Sequence, residues 1–163
     1  MHAAHTSTRW KVLVTVATLA LAAASPMALA DSTREYAPTP APTPAPVTLS
    51  GAQQKVDAGD FRGAIPMLTV IVKADPNNAD ALNLMGYSLR KTGQTDLAMQ
   101  YYNRALALMP KHLGTNEYLG ELYVELGQID KARERLAVLH GACGNCVQAQ
   151  ELAEFIEKTA KKS

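Results

Sequence analysis

Apolar side chains recur at helical spacing over the last two thirds of this chain, and short breaks divide them into segments. The middle of the chain has the clearest pattern, with one apolar face at Leu82, Met85 and Leu89 and another at Ala98, Tyr102 and Ala105. Apolar positions three and four residues apart are typical of amphipathic helices. The pattern predicts helices at 48–58, 61–74, 79–92, 95–108, 113–126, 129–140 and 147–160. No segment has the pattern of a strand, so the predicted fold class is all-α.

The helical segments repeat with a fixed period along the chain. Four sets of small or helix-ending residues keep the same spacing: Gly59, Gly93 and Gly127; Ala64, Ala98 and Ala132; Gly86 and Gly120; Pro76 and Pro110. A fixed period of roughly 34 residues indicates stacked supersecondary units. Glycine after the first helix of each unit can take the left-handed conformation that caps helix carbonyls, and the residue before proline avoids the α region. Each unit is therefore predicted to be a pair of antiparallel helices.

The repeated pattern of small, apolar and helix-ending residues resembles the tetratricopeptide repeat. The middle copy matches the signature of that family best, at Leu82, Met85, Gly86, Leu89, Ala98, Tyr102, Ala105 and Pro110. The third copy has Asn116 where a large apolar residue is usual and Gly144 in place of the closing proline. The resemblance implies a solenoid of about three repeats over residues 48–163, at about 45–78, 79–112 and 113–146. Helix 147–160 then caps the exposed apolar edge of the last repeat.

The resemblance also implies a binding surface. In tetratricopeptide-repeat proteins the first helices of the repeats line a concave groove that holds a segment of a partner protein. The corresponding positions here are Gln53, Asn83, Tyr87, Arg90, Lys91, Glu117, Glu121 and Glu125. Tyr87 has an apolar ring with a polar tip and is the expected anchor. The expected function is that of a protein–protein interaction scaffold or adaptor.

Three acids in the third copy distinguish this groove from the family members that grip a carboxylate tail. Those proteins use lysines and asparagines, whereas Glu117, Glu121 and Glu125 lie four residues apart on one helix face here. Like charges at this spacing repel slightly, which favours a basic partner segment. The alternative is an ordinary solvated face, helped by the nearby Lys131 and Arg133.

A cysteine pair, Cys143 and Cys146, lies between the last repeat and the capping helix. A structural disulfide is the default in an oxidising compartment. Haem attachment is excluded because Val147, and not histidine, follows the second cysteine. Two alternatives stay open: a thiol-redox centre at a helix N-terminus, and a soft metal held by His140, Cys143 and Cys146, although three ligands make an incomplete structural site.

Residues 1–30 have the organisation of a cleavable signal peptide. Arg9 and Lys11 precede an uncharged stretch at 12–24, which is too short to span a membrane comfortably. Ala28 and Ala30 supply the small residues of a cleavage site, so cleavage is expected after Ala30. This pattern predicts export by the general secretory route to the periplasm, with no membrane span in the mature form.

Residues 31–47 form a linker rich in proline and threonine. Proline at nearly every second position prevents both helix and sheet, and predicts an extended polyproline II segment. The expected role is that of a tether that separates the domain from its neighbours. A PxxP-like surface for a partner is the alternative.

Charge and motif content limit the function classes further. Removal of residues 1–30 takes away two of the 16 basic residues and none of the 15 acidic ones, which leaves a net charge of −1. This balance argues against a nucleic-acid partner. No phosphate-binding loop, dinucleotide fingerprint or nucleophile elbow is present, so neither an enzyme activity nor a cofactor is expected. His112, at a repeat boundary, is expected to be a surface loop residue. The sequence carries no signal for an oligomeric state.

Overall fold

A computed structural model describes residues 46–161, and this part of the chain is all-helical. Its seven helices are α1 (Leu49–Asp57), α2 (Phe61–Ala74), α3 (Ala79–Lys91), α4 (Thr95–Leu108), α5 (Leu113–Glu125), α6 (Ile129–Cys143) and α7 (Val147–Ala160). The predicted bounds agree to within one residue except at the end of α6, which continues to Cys143 and not to residue 140. The expected signal peptide and all but the last two residues of the expected linker lie outside the described residues.

The turns inside the three helical hairpins use glycine as the sequence predicts. Gly59, Gly93 and Gly127 have φ angles of 75°, 81° and 72°, which residues with a Cβ rarely adopt. Each of these glycines follows the first helix of a hairpin, α1, α3 or α5, and leads into the second, α2, α4 or α6. The period of the sequence is therefore a period of helix–turn–helix units.

The hairpins pack side by side, with the first helices on the inner side. Within residues 46–161, α1 contacts α3 and α3 contacts α5, whereas the second helices of successive hairpins do not meet. A row of first helices that lie closer together than the second helices makes the inner side of a curve. The concave side is thus lined by α1, α3 and α5, as the family resemblance implies.

The buried apolar residues form two clusters, a larger one through the hairpins and a smaller one under α7, and Tyr123 packs against both. Fully buried Tyr102, Leu82 and Leu119 belong to the larger cluster, and Leu139 and Leu152 to the smaller one at the C-terminal end. Because α7 packs against both α5 and α6, it covers the apolar edge of the third hairpin. In the described segment, no helix combines the length and apolarity that crossing a membrane requires.

His112 is not a simple loop residue, contrary to the expectation from its position after Pro110. It is the N-cap of α5, where its Nδ1 accepts a hydrogen bond of 3.1 Å from the backbone N–H of Thr115. Its Nε2 lies 2.9 Å from Asp80 Oδ1, and only 12% of its side chain is exposed. The imidazole therefore joins α3 to α5, because it caps one helix while it contacts the other.

Candidate functional site

Three aromatic rings, one at the start of α2 and two on the inner helices α3 and α5, lie against one another in the groove. Tyr87 of α3 lies between Phe61, with ring centroids 5.6 Å apart and nearly perpendicular planes, and Tyr118 of α5, with centroids 4.4 Å apart. Lys91 Nζ lies 5.3 Å from the centroid of the Tyr87 ring. The predicted anchor residue is therefore half-buried in an aromatic cluster that joins three repeats.

Arg90 lies beneath this cluster and connects α3 to α5. Its side chain is only 2% exposed. The guanidinium binds the Glu121 carboxylate, lies 3.6 Å from Glu125 Oε1, and donates a hydrogen bond of 3.4 Å to the Tyr118 carbonyl oxygen. Arg90 was predicted as a groove contact; here it is a buried cation that pairs with Glu121 and lies near Glu125, two of the three predicted groove acids.

Glu117 is the acid of the stripe that has no such cation. The residue is 5% exposed, and no ion pair reaches it within the described part of the chain. Burial, followed by a hydrogen bond and charge repulsion from Glu151 and charge repulsion from Glu121, raises its pKa from 4.5 to about 8, against a lowering effect of Arg90. Glu117 therefore holds a proton at neutral pH in the free protein.

Glu151, on α7, was not predicted as a groove residue, because α7 was expected only to be a cap. A signal for it was available in the sequence. Glu151 lies one repeat period after Glu117, and α7 begins one period after α5. By this register α7 corresponds to the first helix of a fourth repeat. Its Glu151 faces the groove at the position equivalent to Glu117 in α5.

Burial and the neighbouring acids also raise the pKa of Tyr118. Burial, followed by the charge of Glu117, raises the pKa of the Tyr118 phenol to about 12. Burial raises the pKa of Tyr87 as well. Both phenols therefore stay protonated across the ordinary pH range and can donate hydrogen bonds to a ligand.

The remaining predicted groove residues lie towards the N-terminal end. Asn83 Oδ1 accepts a hydrogen bond of 3.1 Å from the buried Thr115 hydroxyl, so this amide serves partly to join α3 to α5. Gln53 Nε2 donates to Asp57 Oδ1 at 2.6 Å within α1. Gln53 and Asn83 share an open cleft of about 390 Å³, which is lined by Leu49, Ser50, Gln53, Asp80, Asn83 and Leu84.

The cysteine pair closes the turn between α6 and α7. Cys143 and Cys146 are joined by a disulfide, and His140 Nδ1 lies 3.0 Å from the Gly144 carbonyl oxygen. Cys146 is the N-cap of α7, the helix that carries Glu151. Among the residues of known placement, no group of three or more His, Cys, Asp or Glu side chains is arranged to hold a metal ion.

Known proteins of similar sequence and structure include both long and short chains. One relative is human General transcription factor 3C polypeptide 3, which is 29% identical over 93 residues. The match covers 56% of this chain but only 10% of that protein, so this chain spans about a tenth of its length.

The similar solved structures include complexes with peptides. The Yersinia enterocolitica type III secretion chaperone SycD, solved with a peptide of the translocator YopD, has a TM-score of 0.59 at 18% identity, over 69% of this chain and 89% of that one. The first repeat domain of Spaghetti, solved with the HSP90 peptide SRMEEVD, has a TM-score of 0.60 at 19% identity, over 68% and 89% of the two chains. At these identities the likeness shows a shared fold.

The family assignment follows from two sequence matches that overlap. One family model described as a tetratricopeptide repeat matches residues 49–112, and a second with the same description matches residues 89–153. Together they cover every helix from α1 to α6 and the first half of α7. With its three stacked hairpins and terminal helix, this chain belongs to the tetratricopeptide-repeat family.

Proposed function

We propose that this chain is a non-enzymatic interaction scaffold that binds a segment of a partner protein in the groove lined by α1, α3, α5 and α7. The observation that carries the proposal is the half-buried pair of rings, Tyr87 and Tyr118, which adjoins charged side chains on the inner helices. Large amphipathic rings surrounded by polar groups are typical of the central contacts of protein interfaces.

The structural neighbours support a peptide ligand but differ in charge. Spaghetti was solved with a peptide that contains two glutamates and an aspartate. The groove of this chain instead carries four acids, at Glu117, Glu121, Glu125 and Glu151, against two cations, Arg90 and Lys91. Complementary charge favours a partner segment that is neutral or basic. An acidic tail is therefore not the expected ligand here.

We place this activity in the periplasm. The features of a cleavable signal peptide at residues 1–30 support the location. The disulfide between Cys143 and Cys146 agrees with an oxidising compartment. The linker at 31–47 would then hold the repeat domain away from neighbouring structures while the groove binds its partner.

Co-purification from the native periplasm with the mature chain, residues 31–163, tests the proposal. Tyr87→Ala removes the central ring of the groove. Tyr101→Ala is the matched control, because Tyr101 is also half-buried but lies on α4, a second helix. We expect a partner to be retained by the parent and by Tyr101→Ala and lost from Tyr87→Ala.

Two results would contradict the groove proposal. Equal recovery of the partner by both tyrosine variants would show that the groove is not the binding surface. Loss of the partner only when Cys143 and Cys146 are changed to serine would move the function to the disulfide loop, in line with a thiol-dependent activity. Circular dichroism of each variant checks that the helices are intact.

A further inference from the structure

The register of α7 makes it part of the groove as well as a cap. It begins one repeat period after α5, as α5 begins one period after α3. Glu151 consequently faces Glu117 of α5, close enough for the two carboxyl groups to share a hydrogen bond. A helix that only covered an apolar edge would need no carboxylate directed at a second, buried one.

The cations of the groove are unevenly distributed. Arg90 pairs with Glu121 and lies near Glu125, so these two acids share one cation, whereas no ion pair among residues 46–161 includes Glu151. Glu117 is only 5% exposed and has no cation within ion-pair distance among residues 46–161. Buried carboxylates are normally paired, because an unpaired charge loses its hydration without compensation. Glu117 avoids this cost in the free protein because it holds a proton and shares a hydrogen bond with Glu151, so an incoming cation takes the place of that proton.

The aromatic rings next to these carboxyls suit the stem of a long basic side chain. Tyr118 is the immediate neighbour of Glu117 in α5, and its ring is tilted against that of Tyr87 at 4.4 Å between centroids. The methylene groups of lysine or arginine pack well on such rings while the charged head contacts a carboxylate. Glu117 and Glu151 both act on the phenols of Tyr87 and Tyr118, so the rings and the carboxyls lie near one another.

We propose that Glu117 and Glu151 form a socket for one lysine or arginine side chain of the bound protein segment, with Tyr118 and Tyr87 against its stem. This inference rests on the proposed function, since it names the partner chemistry for the same groove. It also assigns α7 a direct part in binding. A protein segment with a basic residue is the occupant that the charge of the groove fits.

Binding of a cation in this socket should release a proton. The groups that face Glu117 are Glu121 and Tyr118 of α5, Arg90 and Tyr87 of α3, and Glu151 of α7. With a pKa of about 8, Glu117 must lose its proton to pair with the incoming charge. Affinity should therefore fall as pH is lowered from 8 to 6, by up to roughly tenfold per pH unit.

The test uses short peptides selected by phage display against the immobilised mature chain, residues 31–163. Each selected peptide is compared with a copy in which arginine is replaced by citrulline and lysine by glutamine. Both are titrated by calorimetry into the parent, into the double variant Glu117→Gln, Glu151→Gln, and into the control Glu157→Gln. Glu157 is an exposed α7 residue, so its change removes the same charge outside the socket.

The expected result is a set of peptides that contain a basic residue and bind the parent and Glu157→Gln alike. Neutralising the basic residue of the peptide should weaken binding to the parent roughly tenfold. The same change should weaken binding to the double variant less than twofold, because that variant lacks the carboxylates that contact the charge. Calorimetry in buffers of different ionisation enthalpy should detect about one proton released per peptide at pH 7 with the parent and with Glu157→Gln, and none with the double variant.

The outcomes separate this inference from the proposed function. Peptides that bind the groove equally well after neutralisation, or bind the double variant as tightly as the parent, overturn the socket and leave the scaffold proposal standing. Failure to select any peptide that Tyr87→Ala weakens overturns the proposed function and the socket with it. The changes to glutamine keep side-chain size and remove a repulsion, and unchanged helical content by circular dichroism confirms that folding is intact.

Discussion

Leu152 of α7 packs directly over Gly120 of α5, where an added Cβ would come within 2.5 Å of its Cδ2 atom. One repeat earlier, Gly86 has the same relation to the ring of Tyr102, at 2.6 Å, but Tyr102 belongs to the same hairpin. The residue one period after Tyr102 is the smaller Leu136. In the third repeat Leu152 of α7 therefore packs over the glycine of the first helix. In the second repeat the ring of Tyr102, from the second helix of the same hairpin, has that position.

Gly120→Ala should destabilise the domain, because the new methyl group overlaps the fully buried Leu152 side chain. We expect a loss of about 1–3 kcal/mol in the free energy of unfolding, measured by urea denaturation. Gly141→Ala in α6 is the control, since no atom lies within 4 Å of its added Cβ. That change should be neutral or stabilise by up to about 1 kcal/mol. Equal effects of the two changes would contradict the packing described for α7.

Arg90→Met should lower stability although methionine retains much of the side-chain volume. It leaves Glu121 without its buried cation and removes the donor to the Tyr118 carbonyl. The expected loss is about 3 kcal/mol by urea denaturation, because breaking one side of a buried pair leaves an uncompensated charge. Arg133→Met, which removes an exposed pair with Asp130, should cost less than about 1 kcal/mol. A similar small loss for both would show that Arg90 does not join the two repeats.

Glu117→Gln should stabilise the protein at high pH and have little effect at low pH. The pKa of Glu117 is about 8 in the folded state and 4.5 when unperturbed, so the unfolded chain releases its proton first as pH rises. Between pH 4.5 and 8 the parent therefore loses stability progressively, and the variant does not. Thermal or urea unfolding should give a gain on the order of 2–4 kcal/mol at pH 9 and close to zero at pH 4.

If the difference in free energy of unfolding between Glu117→Gln and the parent did not change with pH over this range, the raised pKa of Glu117 would be contradicted. Glu157→Gln serves again as the control, because Glu157 is exposed on α7 outside the groove. Its stability difference from the parent should stay small at both ends of the range.

Loss of the disulfide should cost stability without loss of the fold. Changing Cys143 and Cys146 to serine opens a small ring and should lower the free energy of unfolding by about 2 kcal/mol on the chain-entropy account. Dithiothreitol, which reduces the disulfide, should lower the stability of the parent to that of the serine variant and leave the stability of the variant unchanged. Unfolding of the whole domain on reduction would instead mean that the α6–α7 turn has a larger structural role.

The course of the helices was predictable because the residues that end them act locally. Gly59, Gly93 and Gly127 each take the positive φ that their positions after a helix require. The end of α6 was predicted too early, since Gly141 looks like a helix end in the sequence. Glycine inside an exposed helix costs only about 1 kcal/mol, so the helix continues until Gly144, with φ of 69°, ends it.

The candidate site was only partly predictable, because charge pairing depends on residues far apart in the chain. The predicted stripe of Glu117, Glu121 and Glu125 is present on α5, yet Arg90 neutralises part of it from 31 residues away. When each helix is considered alone, these acids have the same environment. Their different environments arise only when α3 and α7 pack on either side of α5.

The amino-acid order alone determines the repeat period, the family and all the helix ends but that of α6, since these depend on neighbours within one turn or on spacing along the chain. Tertiary packing decides which of the groove residues are bonded to each other and which are free for a ligand. It buries Arg90 against Glu121, and it brings Glu151 to Glu117. The reason is physical: the burial and charge of a side chain depend on what surrounds it in space, and in a solenoid those surroundings come from the next repeat.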